Sequence, residues 1–142
     1  MLTDTYKRKH DYLRVSITDK CNLRCRYCMP PEGVELLPHG QVLRNEEFVR
    51  LIGIFVSMGV VKVRFTGGEP LVRKGFIDIV SRTRSSHPAL ELCLTTNGIL
   101  LGDYIDDLLR FGVRKLNISL DTVSRERYRA ITMRDGLDDV LA

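Results

Sequence analysis

YLRVSIT, residues 12–18, sets apolar Leu13, Val15 and Ile17 against polar Arg14, Ser16 and Thr18. Side chains alternate across a strand with a period of two, so this segment reads as a strand with one greasy and one polar face. The pattern recurs in VKVRFT (61–66), LELCLTT (90–96) and KLNISLD (115–121). There Val61/Val63/Phe65, Leu90/Leu92/Leu94 and Leu116/Ile118/Leu120 oppose Lys62/Arg64/Thr66, Glu91/Cys93/Thr95 and Asn117/Ser119/Asp121. Helical patterns lie between them. NEEFVRLIGIFVSMG (45–59) has Asn45 as its expected cap, Phe48, Leu51, Ile52 and Phe55 on one face, and Gly59 as its stop. FIDIVSRTR (76–84) and DYIDDLLRFG (103–112) read the same way, the second closing on Gly112.

Strand followed by helix, repeated with short loops, predicts parallel strands joined by crossovers. The fold class is α/β: parallel βα repeats forming roughly half of a partial TIM-type barrel, since a whole barrel takes about 250 residues. DGLDDVLA (135–142) reads as the opening turns of a further helix, so the chain is expected to be a shortened, N-terminal part of such a core. Strands covered on both faces are ordinarily apolar throughout. Here the alternation puts the apolar set under the helices and turns the polar set toward a concave, wet interior. That interior carries Arg14, Lys62 and Arg64 against Glu91 and Asp121, a positive excess suited to a phosphate or carboxylate. An open sheet with one solvated face is the alternative.

Composition bounds the rest. A chain of 142 residues, 44% apolar and with a net charge of +4, suffices for one packed domain and shows no nucleic-acid footprint. No apolar run approaches the roughly 20 residues of a membrane helix, and residues 1–10 are too polar for a signal peptide. A soluble, cytoplasmic protein with reduced thiols is expected, because three of its four cysteines crowd into one loop.

That loop is CNLRCRYCMP (21–30), with Cys21, Cys25 and Cys28 at i, i+4 and i+7. A structural zinc site needs four protein ligands. The fourth would have to come from Cys93, His10, His39 or His87, of which Cys93 sits inside a strand and His10 precedes one. An iron–sulfur cubane held by three thiolates instead keeps one iron open for an outside ligand. The loop follows the first strand directly, at the end where parallel βα folds assemble their chemistry.

The spacing CxxxCxΦC, met by Cys21, Cys25, Tyr27 and Cys28, resembles the signature of the radical S-adenosylmethionine superfamily. The resemblance implies a [4Fe-4S] cluster on Cys21, Cys25 and Cys28. S-adenosylmethionine would chelate the open iron and be cleaved reductively to a 5′-deoxyadenosyl radical. TGGEP (66–70), TTNG (95–98) and NISLD (117–121) end the other strands on the same rim. By resemblance Gly67, Gly68 and Glu69 hold the methionine amino group, and Tyr27 and Ser119 also contact the cofactor. As bare motifs these could be a turn and helix caps.

DYLRVSITDKCNLRCRYCMP, VRFTGGEPLVR, LCLTTNGILL, LNISLDTV and ITMRDGLDDVLA together are similar to the GTP 3′,8-cyclase family of molybdenum cofactor biosynthesis. The likeness implies conversion of GTP to 3′,8-cyclo-7,8-dihydro-GTP, with Arg14, Arg64 and Thr95 at GTP-contacting positions. Strand alternation adds Lys62 to that set. An electron donor is implied, and a homodimer for the full-length protein. A second cluster and further basic ligands belong to the family's C-terminal half, so this chain alone is expected to be inactive. Another radical enzyme, such as a peptide-modifying maturase, or a zinc-binding module are the rival readings.

Overall fold

The computed structural model describes residues 2–30 and 32–142. Four parallel strands, β1 (Tyr12–Ser16), β2 (Lys62–Thr66), β3 (Glu91–Thr96) and β4 (Val113–Ile118), form one sheet in the order β1-β2-β3-β4. Helices α1 (Asn45–Ser57), α2 (Phe76–Ser86) and α3 (Leu101–Arg110) make the crossovers, and α4 (Arg125–Thr132) and α5 (Leu137–Leu141) follow β4. This is the expected α/β arc.

The core lies between the sheet and the helices. Ile17, Val63, Phe65, Leu92 and Leu94 from the apolar face meet Phe48 and Ile52 of α1, Phe76, Ile79 and Val80 of α2, and Leu108 of α3. Phe65 and Phe76 pack edge to face with centroids 5.6 Å apart, a geometry that aligns ring edge with ring face. Alternation therefore selects the buried set, as expected, at the centre of the sheet. At its margins it does not. Val61 is 58% exposed and precedes β2, and Ile118 is 46% exposed on the last strand. Leu51 points outward from α1.

Three further expectations are corrected. Asn45 is the first residue of α1 rather than its cap. The Arg44 N–H donates to Glu47 Oε2 at 2.7 Å, and the Asn45 side chain instead reaches Gly75 and Arg73. α3 begins at Leu101, two residues before the Asp103 read from the sequence, and ends at Arg110, with the left-handed Gly112 (φ +74°) two residues beyond. β4 begins at Val113 because its pairing slips: Val113 stands opposite Leu92 and Lys115 opposite Cys93, leaving Arg114 as an extra residue.

The slip turns Val113 onto the apolar face, while Lys115 keeps the polar face that it shares with Asn117. Glu91 there accepts from Lys115 Nζ at 2.8 Å and Lys62 Nζ at 3.0 Å. Those hydrogen bonds, Lys115's first, hold its carboxyl down to about 2 from an ordinary 4.5. The depressed value means this contribution to stability is present above pH 4.5 and lost as pH falls toward 2. Glu91→Gln should accordingly flatten the acid limb of a pH–stability profile between those values. In the core, Phe65→Ala should lower unfolding free energy by about 3–5 kcal/mol in urea titration, while Val61→Ala, at an exposed site, should change it by less than about 0.5 kcal/mol.

Candidate functional site

Every strand delivers its loop to one rim, and the loops are tied to each other there. The Gly68 N–H donates to the Thr18 carbonyl at 2.8 Å and Glu69 N–H to the Lys20 carbonyl at 2.8 Å, joining the β2 loop to the start of the cysteine loop. This approach needs bare backbone. A Cβ on Gly68 would collide with the Lys20 carbonyl oxygen and one on Gly67, where φ is +151°, with that of Thr18. Both glycines remain exposed on the rim.

Glu69, expected with the two glycines to hold the methionine amino group, is buried. It is 1% exposed, and its carboxylate accepts from Leu71 N–H at 3.0 Å, Thr96 Oγ1 at 2.9 Å and Asn97 N–H at 2.7 Å. Burial pushes its pKa up, and the three donors pull against that rise. Asn97 in turn donates to Asn22 at 2.7 Å and lies 4.0 Å from Cys21 Sγ. TTNG thus reaches the cysteine loop through Glu69 and Asn97.

The cysteine loop has a second support that the sequence reading missed. Arg24 and Arg26 N–H donate to the Thr132 and Ile131 carbonyls, each at 3.0 Å, so the loop is docked on the end of α4. α4 escaped notice because only Tyr128 and Thr132 of it are buried. Its one signal was Ser124, whose Oγ accepts from Arg127 N–H. Within the loop, Cys28 and Met29 N–H turn back onto the Cys25 carbonyl. Tyr27 swings across to donate to Asp121 Oδ2 at 2.8 Å, and that bond raises its pKa. Ser119 is exposed on the same rim, held by its N–H to the Thr96 carbonyl at 2.9 Å.

Cys21, Cys25 and Cys28 are all free thiols on this one loop, Cys28 exposed and the others half-buried. Burial raises the pKa of Cys21 and Cys25. The other candidate ligands stay away: His10 pairs with Asp4 before β1, His87 ends α2, and Cys93 is buried in mid-strand beside Glu91. The side chain of His39 lies outside the described residues. Among the described residues no three His, Cys, Asp or Glu groups converge on a point for a single metal ion. A cubane puts each thiolate on a different iron, so its ligands need no such convergence. The buried Tyr128 hydroxyl has no partner among the described residues and lies within Coulombic reach of Cys25 and Cys21. Three free thiols on one loop, joined by none of the other described His or Cys side chains, fit a thiolate-bound cluster.

Below the rim, Arg14 stands in register with Arg64 across β1 and β2. Arg64 donates to Tyr12 Oη at 2.9 Å and the Leu94 carbonyl at 3.0 Å, and lies 3.4 Å from Thr95 Oγ1. No ion pair ties either arginine to Glu91 or Asp121 among the described residues. Lys62 shares the face but is engaged by Glu91. A cavity of about 300 Å³ opens beside Cys21, Arg24 and Met29. A larger one, about 650 Å³, lies outside β1 around Arg73 and borders none of the cysteines; Arg73 is already bound to the Ile17 and Leu43 carbonyls.

Comparison with known proteins bears on this geometry. The chain is 50% identical over 139 residues to a GTP 3′,8-cyclase of Heliobacterium modesticaldum, covering 98% of this chain and 42% of that protein. It is 48% identical over 141 residues to molybdenum cofactor biosynthesis protein 1 of Drosophila melanogaster, covering 99% of this chain and 25% of that one. It thus spans less than half the length of these relatives. Among solved structures, Streptococcus suis SuiB bound to S-adenosylmethionine superposes with a TM-score of 0.68 at 17% identity, over 89% of this chain and 27% of SuiB. No helix among the described residues is long and apolar enough to cross a membrane. The model of the radical SAM superfamily matches residues 15–142, which takes in the end of β1, the other three strands and the cysteine loop, and the chain belongs to that superfamily.

Proposed function

We propose that this chain is the N-terminal part, residues 1–142, of the core domain of a GTP 3′,8-cyclase. Cys21, Cys25 and Cys28 would hold its [4Fe-4S] cluster. Gly67, Gly68 and Glu69, with Tyr27 and Ser119, would seat S-adenosylmethionine. When bound, the two cofactors supply one-electron cleavage of a sulfonium, chemistry that no side chain provides. The chain's own residues bind and orient. The Gly67–Gly68 backbone lets the ligand approach the rim closely, and Glu69 fixes the distance between the β2 and β3 loops through Thr96 and Asn97.

The observation that carries the substrate choice is the pairing of Arg14 with Arg64 on the polar face, with Thr95 beside Arg64. Two arginines in register on one sheet face, without a carboxylate partner among the described residues, suit a polyphosphate. Lys62 adds charge through the network it shares with Glu91 and Lys115. The peptide-modifying alternative draws on the likeness to SuiB, which at 17% identity is a likeness of fold. The relative named GTP 3′,8-cyclase shares 50% of residues over 98% of the chain. An electron donor, a cytoplasmic setting and a homodimeric full-length protein complete the reading.

Titration calorimetry with GTP tests it. Arg64→Ala should weaken GTP binding about ten- to a hundredfold, as expected for loss of a charged hydrogen bond of about 1.5–3 kcal/mol; unchanged affinity removes Arg64 from the site. Gly68→Ala should force the β2 loop away from the Lys20 carbonyl, costing about 1–3 kcal/mol of stability and weakening S-adenosylmethionine binding to the reconstituted chain. Retention of both would show that the close approach is dispensable.

A further inference from the structure

Asn97, in TTNG, uses both ends of its side chain. Its main-chain N–H donates to Glu69 Oε2 at 2.7 Å, and its Oδ1 accepts from Ile99 N–H at 3.1 Å in a turn leading to α3. The second bond fixes which way the amide faces, with oxygen toward Ile99 and nitrogen toward the cysteine loop. Nδ2 carries two hydrogens. It donates to Asn22 Oδ1 at 2.7 Å and stands 4.0 Å from Cys21 Sγ, a long contact to a large acceptor atom. The Leu23 N–H reaches the same sulfur at 3.4 Å. Asn97 is only 9% exposed, so bulk water has little access to its nitrogen. The turn needs only the oxygen. The nitrogen end, brought to Cys21 from a strand end far along the chain, has a separate use.

We propose that the Asn97 side-chain amide raises the reduction potential of the cluster by donating a hydrogen bond to the Cys21 thiolate, and that Asn22 is the positioning residue that holds the amide there. The proposal rests on the cluster reading and is independent of GTP as substrate. Cys28 is exposed, whereas Cys21 is half-buried. A sulfur partly cut off from water depends on protein donors to stabilise its charge. Reduction adds one electron, taking the cluster from its 2+ to its 1+ state, and the added charge is shared with the thiolate sulfurs. A donor aimed at one of them therefore stabilises the reduced form more than the oxidised form. The amide is neutral and does not titrate, so it acts without placing a further charge beside the cluster. Its place is fixed from both sides, by Glu69 on the main chain and by Asn22 on the side chain. The electron comes from the reductant, and no bond in this chain forms or breaks.

Redox titration of the anaerobically reconstituted chain, followed by electron paramagnetic resonance without S-adenosylmethionine, tests it. Asn97→Leu keeps the bulk of the side chain and removes the donor. At a fixed solution potential it should lower the ratio of reduced to oxidised cluster about tenfold, a downward shift of about 59 mV for one electron, with iron and sulfide content unchanged. Asn22→Leu should shift the midpoint the same way by a smaller amount. In unmodified protein isotopically labelled at the asparagine side-chain nitrogens, spin-echo modulation from that nitrogen should accompany the reduced cluster, and it should vanish in Asn97→Leu. An unchanged midpoint in Asn97→Leu, or no side-chain nitrogen coupled to the cluster of the unmodified protein, would overturn the proposal. A chain that takes up no iron and sulfide would refute the cluster itself, and the proposal with it.

Discussion

The rim of this sheet is organised around a carboxylate that has been taken out of water. Glu69 costs free energy to bury, and that cost is offset only because Leu71, Thr96 and Asn97 each direct a donor at it. Those donors come from two different strand ends. The β2 and β3 loops can therefore not move independently, and Asn97 passes the constraint to Asn22 in the cysteine loop. On the other flank, backbone bonds from Gly68 and Glu69 clamp that loop's beginning, while α4 clamps its middle. A loop bearing three thiols is thereby held at its beginning and its middle by structure far from it in sequence.

This arrangement separates rigidity from reactivity. The apolar face spends its side chains on the helices, and the polar face carries Arg14, Arg64 and Thr95. Charge on that face is graded rather than uniform. Glu91 absorbs Lys62 and Lys115 near the start of β3, while Arg64, one strand across and nearer the rim, keeps only neutral partners. The positive charge without an acidic partner among the described residues thus lies toward the rim end of that face.

The four strands were legible because period-two alternation records which side of a sheet is wet. What defeated the reading was a single extra residue. Arg114 shifts the register at the start of β4, and a shift by one exchanges faces, so Val113, buried opposite Leu92, was not read as part of the strand. α4 was invisible for another reason: a helix that buries only Tyr128 and Thr132 carries no apolar stripe to find. The site was legible as motifs, because cysteine spacing and paired glycines are local signals. The burial of Glu69 was not, since it depends on donors from Thr96 and Asn97, a strand away.

The central claim is that three thiolates anchor a cluster with one iron open to S-adenosylmethionine. Oxygen-free reconstitution of this chain, followed by metal and sulfide analysis and electron paramagnetic resonance of the reduced protein with and without S-adenosylmethionine, tests it most directly. The account predicts iron and sulfide in cubane ratio and a signal that the cofactor displaces. Stoichiometric zinc without sulfide, or a cluster signal that the cofactor leaves untouched, would contradict it.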